Sequence, residues 1–200
     1  MIKVIIFDWG NVIAFYPIDD FLDKMSSHFN VDKELFQKVE LQNRLKHDLG
    51  EISTKEFIGN LSKGINRNVI VKEYYSLHQK FGQGKLNEEL ISLIKNLKKR
   101  YKIFLLSNNS KPTYDSIVKS SLKKIFDKIL FSYQVGIKKP NKEFFFKILE
   151  DTTFSPKNCL FIDDREDVCI AAKKYGFNTI VFKNNEQLKK ELVSSEVKVD

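Results

Sequence analysis

The sequence predicts an α/β fold: a parallel five-stranded sheet with helical connections and a block of helices inserted after the first strand. Three observations carry this. Five short apolar runs are continuous rather than alternating, as in strands covered on both faces. Between the last four of them the apolar spacing switches to a helical period. From residue 15 to about residue 84 there is no convincing strand pattern, only helical ones.

The first strand is expected over residues 3–7 (KVIIF), a β-branched run that stops on Asp8. The insertion then reads as helices over 18–29, 32–45, 54–63 and 69–81, with Asp32 and the Ser53-Thr54 pair placed to cap two of them. FGQGKLN is the expected hinge back into the sheet. A helix over 87–99 follows, with Leu90, Ile91, Leu93, Ile94 and Leu97 on one stripe. Strand 103–106 (IFLL), helix 112–126, strand 128–132 (KILFS), helix 141–150, strand 159–162 (CLFI), helix 166–175 and strand 179–182 (TIVF) complete the alternation. Strand alternating with helix implies parallel neighbours joined by right-handed crossovers. The result is a Rossmann-like core of residues 1–14 and 85–200 with a helical unit over 15–84. The tail VSSEVKVD is expected to be loosely ordered.

A chain of 200 residues, 42% of them hydrophobic, can bury an ordinary core without disulfide or metal staples. The net charge of +8 is nearly all lysine, since Arg44, Arg67, Arg100 and Arg165 are the only arginines. The lysines are spread over helical stretches such as KNLKKRYK and EQLKKEL, which reads as solvated helix faces rather than a nucleic-acid surface. Cys159 and Cys169, without a CxxC or a histidine cluster, read as reduced packing residues and fit a reducing compartment. Asp8 interrupts the N-terminal apolar run too early for a signal peptide, and no apolar stretch is long enough to span a bilayer. The expectation is a cytoplasmic protein with no membrane or nucleic-acid partner. GQGKLN lacks both the spacing of a phosphate-binding P-loop and the hydroxyl after its lysine.

In an open parallel sheet, ligands bind beyond the carboxyl ends of the strands. Asp8 follows the first strand, and Ser107, Asn108 and Asn109 follow the second. The loop after the third carries Lys138, Lys139 and Pro140, and Asp163 and Asp164 follow the fourth, with Asp167 slightly later. Each has an ordinary explanation on its own. Asp8 is a turn or cap residue, Ser-Asn-Asn opens a helix, Lys-Lys-Pro lies on the surface, and the acidic pair complements a helix dipole. Two acidic strand ends, a hydroxyl and a lysine on one edge are harder to explain that way.

FDWGNVI, LLSNN, GIKKPNKEFF and FIDDREDVCIAA resemble, in order and at suitable separations, the four motifs of the haloacid dehalogenase superfamily. The helical unit resembles that superfamily's α-helical cap. FDWGNVI together with GEIS is most similar to a bacterial sugar-phosphate (glucose-1-phosphate) phosphatase subgroup. The resemblance implies a Mg²⁺-dependent phosphatase that hydrolyses a small phosphorylated metabolite through an aspartyl-phosphate. It makes Asp8 the nucleophile. It places Asp8, the Gly10 backbone carbonyl and Asp164 on the metal, with Asp163 in support or acting through water. Ser107, Asn108 and nearby amides would hold phosphoryl oxygens, and Lys139, which precedes the proline, would neutralise the charge that the transfer redistributes.

Most phosphatases of this family carry a second aspartate two residues after the nucleophile, to protonate the leaving oxygen and then activate water. Here that position is Gly10. Three expectations follow. The substrate has a good leaving group, or a group from the cap supplies the proton, or the site binds a phosphorylated ligand with little turnover. Arg44, Lys46 and His47 precede GEIS, and of these His47 alone has a pKa suited to proton transfer near neutrality. Tyr16, Arg44 and His47 are candidate substrate contacts. A haloacid dehalogenase-type hydrolase would share the nucleophile but needs no metal, so the Asp163-Asp164 pair speaks against it. A phosphonate-cleaving relative would need a Schiff-base lysine, and none of the six cap lysines considered (Lys24, Lys33, Lys38, Lys46, Lys55 and Lys63) stands out.

Overall fold

A computed structural model describes residues 1–82 and 85–199, so the centre of the expected FGQGKLN hinge lies outside the described residues. Strand β1 (Val4–Phe7) is fully buried. Its side chains alternate between two apolar layers, Ile5 and Phe7 on one face of the sheet, Val4 and Ile6 on the other. The chain then turns sharply. Asn11 takes the left-handed conformation (φ 53°), which a short amide side chain tolerates, and the N–H groups of Ile13 and Ala14 both bond to the carbonyl of Trp9.

β2 (Ala14–Phe15) leaves this turn and leads into four helices, α1 (Ile18–Phe29), α2 (Lys33–Asp48), α3 (Thr54–Gly64) and α4 (Val71–Gly82). They enclose an apolar cluster of their own around Met25, Phe36, Phe57, Ile58 and Leu61. The Asp32 side chain caps α2 by accepting from Leu35 N–H, and Ser53 forms a reciprocal capping box with Glu56 at α3. β3 (Lys85–Leu86) pairs antiparallel with β2, so the helical unit is joined to the sheet through a two-stranded ribbon. The sequence reading contains no such ribbon, because two-residue strands carry too few side chains to show a period.

The core resumes with α5 (Glu88–Leu97), β4 (Lys102–Ser107), α6 (Lys111–Lys119), β5 (Lys128–Phe131), α7 (Ser132–Val135), α8 (Lys142–Lys147), β6 (Cys159–Asp163), α9 (Glu166–Lys174), β7 (Asn178–Val181) and α10 (Asn185–Ser194). The five long strands form a wholly parallel sheet in the order β5-β4-β1-β6-β7. The chain runs outward from β1 on one side and then on the other, so the switch point lies at the carboxyl end of β1, where Asp8 stands.

Two local expectations change. The single helix expected over 112–126 breaks at Ser120. Its hydroxyl donates to the Ile117 carbonyl and accepts from Leu122 N–H, competing with the helical ladder and starting a 3₁₀ turn. The tail is ordered as far as it is described: Val197 is buried in the α5-side core, and Lys198 N–H donates to the Tyr101 hydroxyl. Among the described residues no helix is long and apolar enough to cross a membrane.

The helical unit rests on the core at one seam. The Ser132 hydroxyl, at the start of α7, donates to the Asp48 carbonyl at the end of α2. Gly50 (φ +70°) lies so close to α7 that a Cβ there would sit 2.5 Å from the Tyr133 carbonyl oxygen. Burial in this seam pushes the Asp48 carboxyl from its ordinary 3.8 up to about 7; Glu40 adds to the shift, while Arg44 and Lys138 oppose it.

Gly50→Ala is therefore expected to lower stability by about 1–3 kcal/mol through backbone strain and loss of the close approach, read as a lower urea midpoint. The folded chain holds the Asp48 proton more tightly than the unfolded chain, so ionising it costs stability as pH rises from about 4 through about 7. Asp48→Asn should accordingly stabilise by ~2 kcal/mol more at pH 8 than at pH 5; equal effects at the two pH values would show that the carboxyl is not held in this way.

Candidate active site

Phe7 is paired with Leu105 of β4 and with Ile162 of β6. One step further along the strands, this register places Asp8 level with Leu106 and Asp163, with Ser107 one residue beyond. The lysine on the loop after α7 reaches the same edge. Lys139 Nζ lies 2.7 Å from Asp8 Oδ1 and 2.6 Å from Asp163 Oδ2, and only 3% of the lysine side chain is exposed. Its ammonium also lies over the Phe161 ring, 5.5 Å from the centroid.

Three hydrogen bonds to the backbone hold this charge cluster in place. Asp163 Oδ1 accepts from Arg165 N–H at 2.9 Å, which leaves Oδ2 for the lysine. The Asn108 side chain clamps the Lys139 backbone from both sides: Oδ1 accepts from Lys139 N–H at 2.8 Å, and Nδ2 donates to the Lys139 carbonyl at 3.0 Å. The sequence reading puts Asn108 on the substrate. Its side-chain amide positions the lysine loop, which needs a donor and an acceptor together.

Burial drives the electrostatics. It raises the Asp8 carboxyl to about 6, with Lys139 pulling the other way and Asp163 adding to the rise. Burial alone would lower the Lys139 ammonium, but the two carboxylates outweigh it and hold the group protonated. The Asp164 carboxyl is raised by burial, against a hydrogen bond from Asn11 Nδ2 to its Oδ2 at 3.2 Å. Asn11 is absent from the sequence reading; an asparagine after a glycine at a strand end is the one signal that could have marked it.

Carboxylate oxygens of Asp8, Asp163 and Asp164 lie within 4.8 Å of one another. Asp8 Oδ1 is buried, and its close polar partner is the Lys139 ammonium at 2.7 Å. Three converging carboxylates, two of them sharing the one Lys139 ammonium, fit a hard divalent cation such as Mg²⁺. Gly10 contributes only backbone here. A Cβ at this position would meet nothing within 4 Å, so neither crowding nor a left-handed turn requires the glycine.

Two of the helical-unit candidates, His47 and Arg44, have partners within that unit. His47 is buried with its ring stacked on Phe57 (centroids 5.0 Å apart), Nε2 is 3.0 Å from the Thr54 hydroxyl, and burial lowers its pKa. This candidate proton carrier packs on the buried face of α2 with Phe36 and Glu40. Arg44 is 41% exposed, with Nε 3.7 Å from Glu40 Oε1. Tyr16 remains beside the site: its hydroxyl accepts from Trp9 Nε1 at 2.6 Å. Cys159 and Cys169 are buried free thiols, both raised to about 12 by burial.

Comparison with known proteins agrees with this geometry. The chain is 28% identical to a D-ribitol-5-phosphate phosphatase of Bacteroides thetaiotaomicron, over 96% of this chain and 97% of that protein. It is 22% identical to a drimenol cyclase of Aspergillus calidoustus, of whose length it spans 36%. Among solved structures, a HAD family enzyme of B. thetaiotaomicron superposes with a TM-score of 0.85 at 24% identity, covering 96% of this chain and 98% of that one. The same enzyme has been crystallised with magnesium and inorganic phosphate (TM-score 0.80). A family model described as haloacid dehalogenase-like hydrolase matches residues 2–176. That match starts before β1 and ends after α9, taking in the whole carboxylate–lysine edge, and the chain belongs to the haloacid dehalogenase-like hydrolase family.

Proposed function

We propose that this hydrolase is a Mg²⁺-dependent phosphatase acting on a small phosphorylated metabolite, a sugar or polyol phosphate, through an aspartyl-phosphate on Asp8. The observation that carries the reading is the single buried ammonium of Lys139 between Asp8 and Asp163, with Asp164 completing a trio of carboxylates. The phosphatase relative supports the substrate class, and the magnesium and phosphate complex of the structural neighbour supports the metal.

In this mechanism Asp8 attacks phosphorus through a carboxylate oxygen. An incoming phosphate dianion adds negative charge beside the carboxylates. Lys139 offsets it at short range in a site of low dielectric, where a fixed charge counts for more than in water. The Ser107 hydroxyl and the amides beyond β4 hold the phosphoryl oxygens. Mg²⁺, held by Asp8, Asp164 and the Gly10 carbonyl with Asp163 in support, would supply Lewis-acid charge there. Residues 15–84 act as a cap over this edge of a core formed by 1–14 and 85–200, and the docking of the α2–α3 turn on α7 supports that division.

The missing side chain at residue 10 favours a second reading, a phospho-ligand-binding protein with little turnover. One assay separates the two. With Mg²⁺, the protein is expected to hydrolyse D-ribitol 5-phosphate or para-nitrophenyl phosphate, and Asp8→Asn or chelation should remove at least about 1,000-fold of that activity. Phosphate-ligand binding with turnover no higher than in Asp8→Asn would establish the second reading instead.

Because a Cβ at residue 10 meets nothing, Gly10→Asp is expected to fold normally and to raise turnover of alkyl phosphates by about 10-fold or more, with little change on the aryl ester. An equal effect on both substrates would show that protonation of the leaving group does not limit the reaction.

A further inference from the structure

We propose that Tyr16 is the catalytic proton donor to the leaving-group oxygen, the task for which residue 10 has no side chain; this rests on the phosphatase reading above. The turn after Asp8 folds the chain back on itself, with two amides bonded to the Trp9 carbonyl, and β2 then carries Tyr16 back beside Trp9. The Trp9 indole, almost fully buried, donates to the Tyr16 oxygen at 2.6 Å. Indole N–H is a donor only, and a phenol carries one proton of its own. The hydrogen bond from Trp9 therefore fixes the phenol oxygen and leaves the O–H to point elsewhere. Among the described residues no acceptor takes it.

Two further observations single out this residue. The phenol is raised above its ordinary pKa, first by burial, against the Trp9 hydrogen bond, and further by the negative charge of Asp8 within electrostatic range. It is thus a neutral O–H close to the proposed nucleophile. His47, the other candidate, is held by Thr54 and Phe57 inside the helical unit.

The proton accounting closes without a further reactant. As the Asp8 oxygen bonds to phosphorus, the bond from phosphorus to the substrate oxygen breaks. Its electron pair stays on that oxygen, which takes the Tyr16 proton and leaves as the alcohol. The tyrosinate then removes a proton from water as the water oxygen bonds to phosphorus and the bond to Asp8 breaks. This restores the phenol and the carboxylate and releases phosphate. An alkoxide is a far stronger base than a phenolate, so the first transfer runs downhill.

The test compares D-ribitol 5-phosphate with para-nitrophenyl phosphate, whose leaving group needs little protonation. Tyr16→Phe should lower kcat on the alkyl ester about 100-fold or more and on the aryl ester by less than about threefold. Adding Gly10→Asp to Tyr16→Phe should recover about 10-fold or more of the alkyl activity. Equal losses on the two esters, or no loss on either, overturn the assignment while leaving the phosphatase reading intact; absence of turnover by the unmodified protein overturns both. Should Tyr16→Phe not fold, fluorotyrosine at residue 16 keeps the shape and makes the phenol more acidic. A changed alkyl-to-aryl ratio then supports the donor role, and an unchanged ratio overturns it.

Discussion

The Lys139 ammonium lies between Asp8 and Asp163, out of reach of solvent, and the rest of the site is organised around that contact. Burying three ionisable groups is costly unless each finds its partners within hydrogen-bonding distance. One cation shared by two carboxylates leaves the cluster with an excess of negative charge. Burial then raises Asp8 while the two carboxylates hold the lysine protonated. Such an arrangement survives only if the groups cannot move apart, which is the work of the Asn108 clamp on the lysine backbone and of Arg165 N–H on Asp163. The excess negative charge is also what makes the edge suited to a divalent cation.

The sheet makes this contact possible. Asp8 and Asp163 end adjacent parallel strands whose register brings them level, and Lys139 arrives from the next crossover on the other side. The helical unit meets the core at α7, which follows β5. At that seam a glycine and a carbonyl meet too closely for any side chain to intervene. Asp48 lies in this seam within electrostatic range of Glu40, Arg44 and Lys138, and burial holds its carboxyl well above the ordinary carboxylate range.

The turn after β1 has two functions. It presents Asp8, and by reversing the chain at a left-handed Asn11 it returns Tyr16 to the side of Trp9 and aims Asn11 at Asp164. Gly10 lies within this turn but is not required by its geometry. Its lack of a side chain is therefore not imposed by packing.

The order of strands and helices was legible from the sequence because each long element carries enough side chains to show its period: four buried residues in β1, a five-residue stripe in α5. The two-residue strands β2 and β3 were not, and neither was the break at Ser120, where a hydroxyl outcompetes the helix over one turn. At the site, strand ends in a parallel sheet put Asp8, Ser107, Asp163 and Asp164 on one edge, and the family resemblance chose Lys139, which precedes the proline, over Lys138. What the sequence could not decide is where each remaining polar group points. Asn108 turns to the lysine backbone rather than outward, His47 packs on Phe57, and Tyr16 is drawn to Trp9. Those choices depend on partners remote in sequence or on the exact path of a turn, and only the folded chain brings donor and acceptor to the same place.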